Sequence, residues 1–362
     1  MSVKILHCAD LHLDSPFDSL PDDKAAKMRS EQRELLLYIS DIAASRDADI
    51  VLMSGDLLDS TVAYYETSDA LINALSRIKA KVFISPGNHD YFCPASPYAF
   101  VEFPDNVHIF KSQEIECVEL PELNCRVYGA GFTGCSCASL LNGFEAADDG
   151  LINLMVIHGN IMGDSYNRIT TENIASSNLD YLALGHIHSY SGILSAGKTH
   201  YAYPGCAQGR GFDETGEKGV LFGEVSKGNV NLTFIPTASR QYKDITISVD
   251  GADSPSDVLD RTISESCKND ILRVTFTGEY GGTIDTAALI SKYSQRTFHF
   301  ILRDRTRSPR DIWEGLSEDT LTGSFLRIMK KKYDAAENEG ERETITTAIK
   351  YALAALENRE EL

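Results

Sequence analysis

The chain has 362 residues and carries 34 Lys and Arg against 53 Asp and Glu, a formal net charge of −19. That length allows one large domain with a smaller one or a tail, and the charge excludes a broad basic surface that holds nucleic acid by phosphate neutralisation alone. No charged leader with an apolar core and cleavage site opens the sequence, and no apolar run approaches the ~20 residues that span a bilayer, so a cytoplasmic protein with no membrane role is expected. Eight cysteines (8, 93, 117, 125, 135, 137, 206 and 267) form no Cys-x-x-Cys pair and read as reduced, structural thiols.

In chain order, residues 3 to 8 predict a strand that ends in Asp10-Leu11-His12. Helical spacing covers 22 to 46, with Met28, Leu35, Tyr38, Ile39 and Ile42 on one face. Residues 49 to 59 form the pivot of the chain. Ile50, Val51, Leu52 and Met53 read as a strand buried on both faces, and Gly55 lets the backbone turn so that Asp56 stands at its carboxyl end. Ligands of α/β sheets bind at that end. A lone Asp after a strand is commonly a turn residue or helix cap, so the meaning of Asp56 depends on what other strands bring to the same edge.

They repeat the pattern. After a helix over 64 to 78, the strand 81 to 85 breaks at Pro86-Gly87 and delivers Asn88, His89 and Asp90. Residues 98 to 150 hold strand-like pieces and a Gly, Cys and Ser-rich loop without a catalytic signal. Strand 152 to 157 runs into His158, and strand 179 to 184 ends in Gly185-His186-Ile187-His188, where an extended chain would set both imidazoles on one side. A strand near 201 to 205 and a hairpin over 219 to 235, turned at Lys227-Gly228-Asn229, would close a second sheet. A small α/β unit is expected over 243 to 303, and purely helical patterning follows Pro309.

Asp10, His12, Asp56, Asn88, His89, His158, His186 and His188 thus converge as oxygen and imidazole donors without a thiolate, the donor set of a dinuclear metal site. Five of the nine histidines fall in these motifs, which disfavours a structural role for the group. His7, His108, His200 and His299 lack such a pattern and read as structural.

The order Asp10-x-His12, Gly55-Asp56-x-x-Asp59, Gly87-Asn88-His89-Asp90, His158, Gly185-His186-x-His188 resembles the calcineurin-like metallophosphoesterase superfamily. The opening His-x-Ala-Asp-Leu-His-Leu-Asp-Ser-Pro-Phe, with Tyr203-Pro204-Gly205 and Gln208-Gly209-Arg210, resembles its SbcD-type DNA repair exonuclease branch and most closely the bacterial YhaO subgroup. Ser60 stands where the protein phosphatases of the superfamily have Arg, which argues against phosphoprotein substrates.

The resemblance implies an α/β fold: a four-layer α/β/β/α sandwich over 1–240, a small α/β capping domain over 241–306 and a helical C-terminal segment over 307–362. It implies two divalent ions, Mn²⁺ by family habit with Fe²⁺ or Zn²⁺ also suited to the ligands. One ion would be held by Asp10, His12, Asp56 and His188, the other by Asp56, Asn88, His158 and His186. His89 would protonate the leaving group, Asp59 would orient His89 through a carboxylate to imidazole bond unless it is a helix cap, and Arg210 would contact phosphate unless it is an ordinary surface residue. The expected activity is DNA phosphodiester hydrolysis, with a homodimer and an SMC-like coiled-coil ATPase docked on the C-terminal helices as partners. A small-molecule phosphodiesterase or nucleotidase, and a mainly structural partner-binding subunit, are the alternatives.

Overall fold

In the computed structural model, which describes residues 2–356 except 164, 253 and 310, alternate side chains of β1 (Ser2–Cys8) part to opposite faces. Val3 and Ile5 go to one buried cluster, Leu6 and Cys8 to another. Helix α1 (Asp22–Ser45) follows Pro21 and carries Asp22 and Asp23 in its first turn, where the helix dipole favours negative charge. It buries Met28, Leu36, Ile39 and Ile42, whereas Tyr38, expected on that face, is 48% exposed.

Strands β2 (Ile50–Met53), β3 (Lys81–Ile84) and β4 (Val107–Ile109) follow, with α2 (Tyr65–Ser76) and the single turn α3 (Pro97–Phe100) between them. They run parallel to β1, and the register pairs Cys8 with Met53 and Met53 with Ile84, so three strand ends finish level. A second sheet is built from β5 (Glu116–Leu120), β6 (Cys125–Gly129), β7 (Ile152–His158), β8 (Tyr181–Gly185), β9 (Leu194–Ala196) and β10 (Thr199–Ala202), with α4 (Thr171–Ser176) after β7. Its order is β5-β6-β7-β8-β10-β9, and His158 pairs with Gly185 at the ends of β7 and β8.

The hairpin of β11 (Gly219–Ser226) and β12 (Asn229–Pro236) corrects one expectation. It lies antiparallel to β1 and completes the first sheet, β12-β11-β1-β2-β3-β4, rather than the second. The alternation that marks these strands cannot name their partner; pairing with β1 is what places Leu221 and Val225 in the same core as Val3 and Ile5.

Three apolar clusters separate four layers. Between the sheets lie Ile5, Leu52, Phe83, Val127, Leu154, Val156 and Ala183; α1 and α2 cover the outer face of the first sheet, and α4 packs on the outer face of the second through Ile174, Met155 and Leu182. The α/β/β/α sandwich is therefore present.

Beyond it come β13 (Tyr242–Ser248), α5 (Pro255–Thr262), β14 (Ile271–Thr277), α6 (Thr286–Tyr293) and β15 (His299–Asp304), the strands forming a sheet in that order. Helices α7 (Leu321–Asp334) and α8 (Glu339–Leu356) follow and pack on each other. Residues 310 and 357 to 362 of the expected helical segment lie outside the described residues. The chain divides into two compact units: Met1–Ile245 with Ile263–Val274 and Ala287–Leu302, and Thr246–Thr262 with Thr275–Thr286 and Arg303–Leu362. The candidate metal centre lies in the first. Among the described residues no helix is long and apolar enough to cross a membrane.

Candidate metal centre

The loops that leave β1 and β2 remain paired after the strands end. The Asp10 N–H donates to the Gly55 carbonyl at 3.0 Å, and that of His12 to the Asp56 carbonyl at 2.9 Å. From α1, the buried Gln32 donates through Nε2 to the Leu11 and His12 carbonyls at 3.1 and 3.2 Å, pinning the first loop from behind. Asp10, His12, Asp56 and His186 all take positive φ (52°, 43°, 50° and 115°), a conformation that costs a non-glycine residue on the order of 1 kcal/mol or more. Gly55, at φ 85°, cannot be replaced: a Cβ there would lie 2.7 Å from His158 Nδ1 and 2.8 Å from the Ser85 carbonyl oxygen.

The two sheets meet at this edge. His158 Nδ1 lies 2.9 Å from the Ser54 carbonyl oxygen; a carbonyl only accepts, so Nδ1 carries the hydrogen and Nε2 of the neutral ring presents a lone pair. That nitrogen faces Asn88 Oδ1 at 3.0 Å and Asp56 Oδ2 at 3.4 Å. His186 Nδ1 approaches the same Asn88 oxygen at 3.2 Å. On the other side of Asp56, His12 Nε2 stands 3.7 Å from Oδ2 and 3.3 Å from His188 Nε2, and His188 Nε2 is 3.9 Å from Asp10 Oδ1. One carboxylate oxygen of Asp56 therefore sits between two groups of donors, while its Oδ1 accepts from the His89 N–H at 2.9 Å.

The outer nitrogens of the facing pair are both held by carboxylates. His12 Nδ1 donates to Asp59 Oδ1 at 3.1 Å and His188 Nδ1 to Glu214 Oε1 at 2.7 Å. Arg210 ties the two acids together, donating from Nη1 to Asp59 Oδ1 at 3.0 Å and from Nη2 to Glu214 Oε1 at 2.6 Å. In the neutral rings this arrangement leaves the lone pairs on the two Nε2 atoms, 3.3 Å apart. Two nitrogens about 2.1 Å from one ion at roughly tetrahedral to octahedral angles would be about 3.0–3.4 Å apart, which the observed separation matches. Three triads, Asp10–His12–His188, His12–Asp56–His89 and Asp10–Asp56–His158, each bring their donor atoms within 4.8 Å of one another. The donor set fits two cations.

Electrostatics agrees with that fit. Burial pushes Asp10 up to about 7, with the Asp56 charge adding to the rise, and burial likewise raises Asp56. Burial holds His158 and His186 down at about 4 and His12 well below the usual imidazole range, so these rings are neutral and able to ligate at physiological pH. Burial works to lower His188 too, but the bond to Glu214 lifts it above its ordinary value. Glu214 stays well below the usual carboxylate range: its bonds to His188 and Arg210 outweigh the upward pull of burial.

All seven expected ligands come together here, and His89 stands beside them with its ring centroid 4.9 Å from that of His12. Two expectations are corrected. His89 Nδ1 lies 3.2 Å from the backbone carbonyl of Asp59, not its carboxylate, which turns instead to His12 and Arg210. The chain through Gly185-His186-x-His188 is not extended: the positive φ of His186 turns its ring toward Asn88, while His188 turns toward His12.

Glu214 and Asn167 escape the sequence reading, and Asp90 appears there without a role. Glu214 lies in a loop with no periodicity to mark it. Asp90, fully buried, accepts from the N–H groups of Gly87 (2.7 Å), Leu57 (2.8 Å) and Asp56 (3.2 Å) and from the Tyr98 hydroxyl (2.6 Å), so it holds the turn that presents Asp56. Asn167 donates to the His158 carbonyl at 2.7 Å. For Asp90 the adjacent Asn88-His89 was the available signal; for the others none existed.

The sequence pattern of the calcineurin-like phosphoesterases matches residues 3–190, more than half of the chain and the span that supplies all seven candidate ligands. The chain belongs to that family. Calcineurin-like phosphoesterases are metal-dependent hydrolases that use divalent ions, in keeping with the donor set above. A protein named uncharacterized metallophosphoesterase YhaO, from Bacillus subtilis (strain 168), is 30% identical over 243 residues, which cover 63% of this chain and 59% of that protein.

Proposed function

We propose that this calcineurin-like phosphoesterase hydrolyses DNA phosphodiester bonds at a two-ion centre, as a nuclease of the SbcD-type branch. The observation that carries the two-ion reading is Asp56 Oδ2, placed between His12 and His158 at 3.7 and 3.4 Å. Asp10, His12, Asp56 and His188 would hold one ion and Asp56, Asn88, His158 and His186 the other. When bound, such ions, Mn²⁺ in this reading, lower the pKa of a shared water and neutralise phosphoryl oxygens during in-line displacement.

The chain's own residues do the rest. With Nδ1 of His89 tied to the Asp59 carbonyl, Nε2 is the atom that passes a proton to the leaving alkoxide. Asp59 orients two imidazoles at once, His89 by its carbonyl and His12 by its carboxylate. Arg210 fixes the Asp59 and Glu214 carboxylates, and its remaining N–H groups reach a phosphoryl oxygen.

DNA is favoured over other diesters by the likeness of 7–17 and 203–210 to the SbcD-type branch. A chain of net charge −19 requires help to hold a polyanion, and an SMC-like coiled-coil ATPase docked on α7 and α8 supplies it. The same charge favours the second reading, a small-molecule phosphodiesterase or nucleotidase. Hydrolysis of labelled single- and double-stranded DNA and of bis(p-nitrophenyl) phosphate by the Mn²⁺-loaded protein decides between them. DNA cleavage establishes the nuclease; turnover of the small diester with DNA untouched, with or without a coiled-coil ATPase, overturns it.

A further inference from the structure

Next to the metal centre lies a cavity of about 550 Å³, within the size range of small-ligand sites. Its walls are the loops that carry the centre itself. Ser15 to Ser19 follow His12, and Arg210 to Glu214 contain the arginine and glutamate that steady His12 and His188. A ligand there is therefore adjacent to the residues that would hold the ions.

The lining has the chemistry of a flat, polar-edged ligand. The Arg273 guanidinium lies over the Phe212 ring, 4.2 Å from its centroid, and Tyr242 buttresses that ring edge-on at 5.1 Å. Asp244 holds the Arg273 guanidinium from the side, so its plane is fixed, and Nε is buried without a hydrogen-bond partner among the described residues. Stacked guanidinium and aromatic planes are what nucleobases dock against in single-stranded nucleic-acid sites. The free charges in the cavity are negative: Asp18 and Asp213 line it, are exposed, and accept no hydrogen bond from a described residue, while Arg210 is engaged by Asp59 and Glu214. Asp18 and Asp213 suit groups that donate, the exocyclic amines of bases and the hydroxyls of a sugar, while Arg210, beside Asp59 and His188, keeps its remaining N–H groups available for the phosphoryl group.

We propose that this cavity is a nucleoside subsite: it takes the base and sugar on one side of the scissile phosphate, stacked on the Phe212–Arg273 pair, and prefers bases with an exocyclic amine. The proposal rests on the phosphodiesterase reading of the metal centre and adds the part of the substrate recognised beside it.

The test uses the full-length, Mn²⁺-loaded protein and two chromogenic diesters, adenosine 5′-(p-nitrophenyl phosphate) and bis(p-nitrophenyl) phosphate, with the variants Arg273→Ala and Phe212→Leu. Loss of one stacking contact is expected to lower kcat/KM for the adenosine diester about tenfold in each variant, mainly through KM, and to leave the base-free diester within about twofold. The thymidine diester should turn over less efficiently than the adenosine one in the wild type. Equal effects on both diesters, or none on either, overturn the subsite. If neither diester is hydrolysed, the phosphodiesterase reading fails by itself, and the cavity is then judged by calorimetric titration with adenosine: binding that Arg273→Ala weakens about tenfold keeps the subsite, and no binding at millimolar adenosine removes it.

Discussion

His12 and His188 face each other through Nε2 atoms 3.3 Å apart, and each ring is held from behind by a carboxylate, Asp59 for one and Glu214 for the other. In their neutral forms the two rings aim Nε2 lone pairs at each other, an arrangement that a cation between them would stabilise. The carboxylates fix the tautomer that presents those lone pairs, and partners of this kind typically contribute 10–100-fold to metal affinity.

Glu214→Gln should accordingly weaken one of two Mn²⁺ binding steps by about 10–100-fold and leave the other nearly unchanged, because Glu214 is bonded to His188, whereas His158 and His186 are bonded to Ser54 and Asn88. Calorimetric titration of the metal-free protein resolves the two steps. Equal weakening of both, or of neither, would show that Glu214 does not act through His188.

His89 and Asp59 separate in the same kind of measurement. His89→Ala should lower kcat by about 10²–10⁴ with metal content intact, since in the proposed reading the ring serves proton transfer and not metal binding. Asp59→Asn keeps the carbonyl that anchors His89 but weakens the grip on His12, so its main effect should fall on metal affinity. A variant order with His89→Ala metal-depleted and Asp59→Asn fully loaded contradicts these roles.

Asp90 is buried and serves five donors, four of them the backbone N–H groups of Asp56, Leu57, Leu58 and Gly87 in the turns around Asp56. Replacing it with Ala leaves those donors without an acceptor, at about 1–3 kcal/mol for each one that water cannot reach. Urea unfolding of metal-free Asp90→Ala should show a loss of at least about 3 kcal/mol; a loss below about 1 kcal/mol would mean that the turns are held by other contacts.

His7 gives the protein an acid-sensitive core away from the ligands. It is fully buried between the Tyr181 hydroxyl (2.8 Å) and Ser54 Oγ (2.9 Å), and burial lowers it from 6.5 to about 3. Between those two pH values the unfolded chain takes up a proton that the folded one does not, so the stabilisation is present above pH 6.5 and fades as pH falls toward 3. With EDTA present, His7→Gln should be less stable than wild type at pH 8, and the gap should narrow by on the order of a few kcal/mol by pH 4. A gap that is constant with pH excludes His7 as a contributor to acid unfolding.

The residues legible in the sequence are those that strands deliver. Short apolar runs and the breaks at Gly55, Gly87 and Gly185 place Asp56, Asn88 and His186 at strand ends without any knowledge of which strands are neighbours. Contacts across the sandwich are a different matter. Whether the hairpin of β11 and β12 joins β1, and whether Asp59 meets His89 by carboxylate or carbonyl, depends on pairings between residues far apart in the chain, which local periodicity does not encode. Glu214 is the clearest case: its partner His188 is 26 residues away, and only the folded loop brings the two to 2.7 Å.

The central proposal is a two-ion centre that Asp56 would serve on both sides, and Mn²⁺ content combined with low-temperature electron paramagnetic resonance tests it most directly. The wild type should bind two Mn²⁺ per chain with the signature of exchange-coupled ions, and Asp56→Asn should lose both the coupling and most of the metal. A single Mn²⁺ per chain, or two ions that show no coupling, would contradict the account.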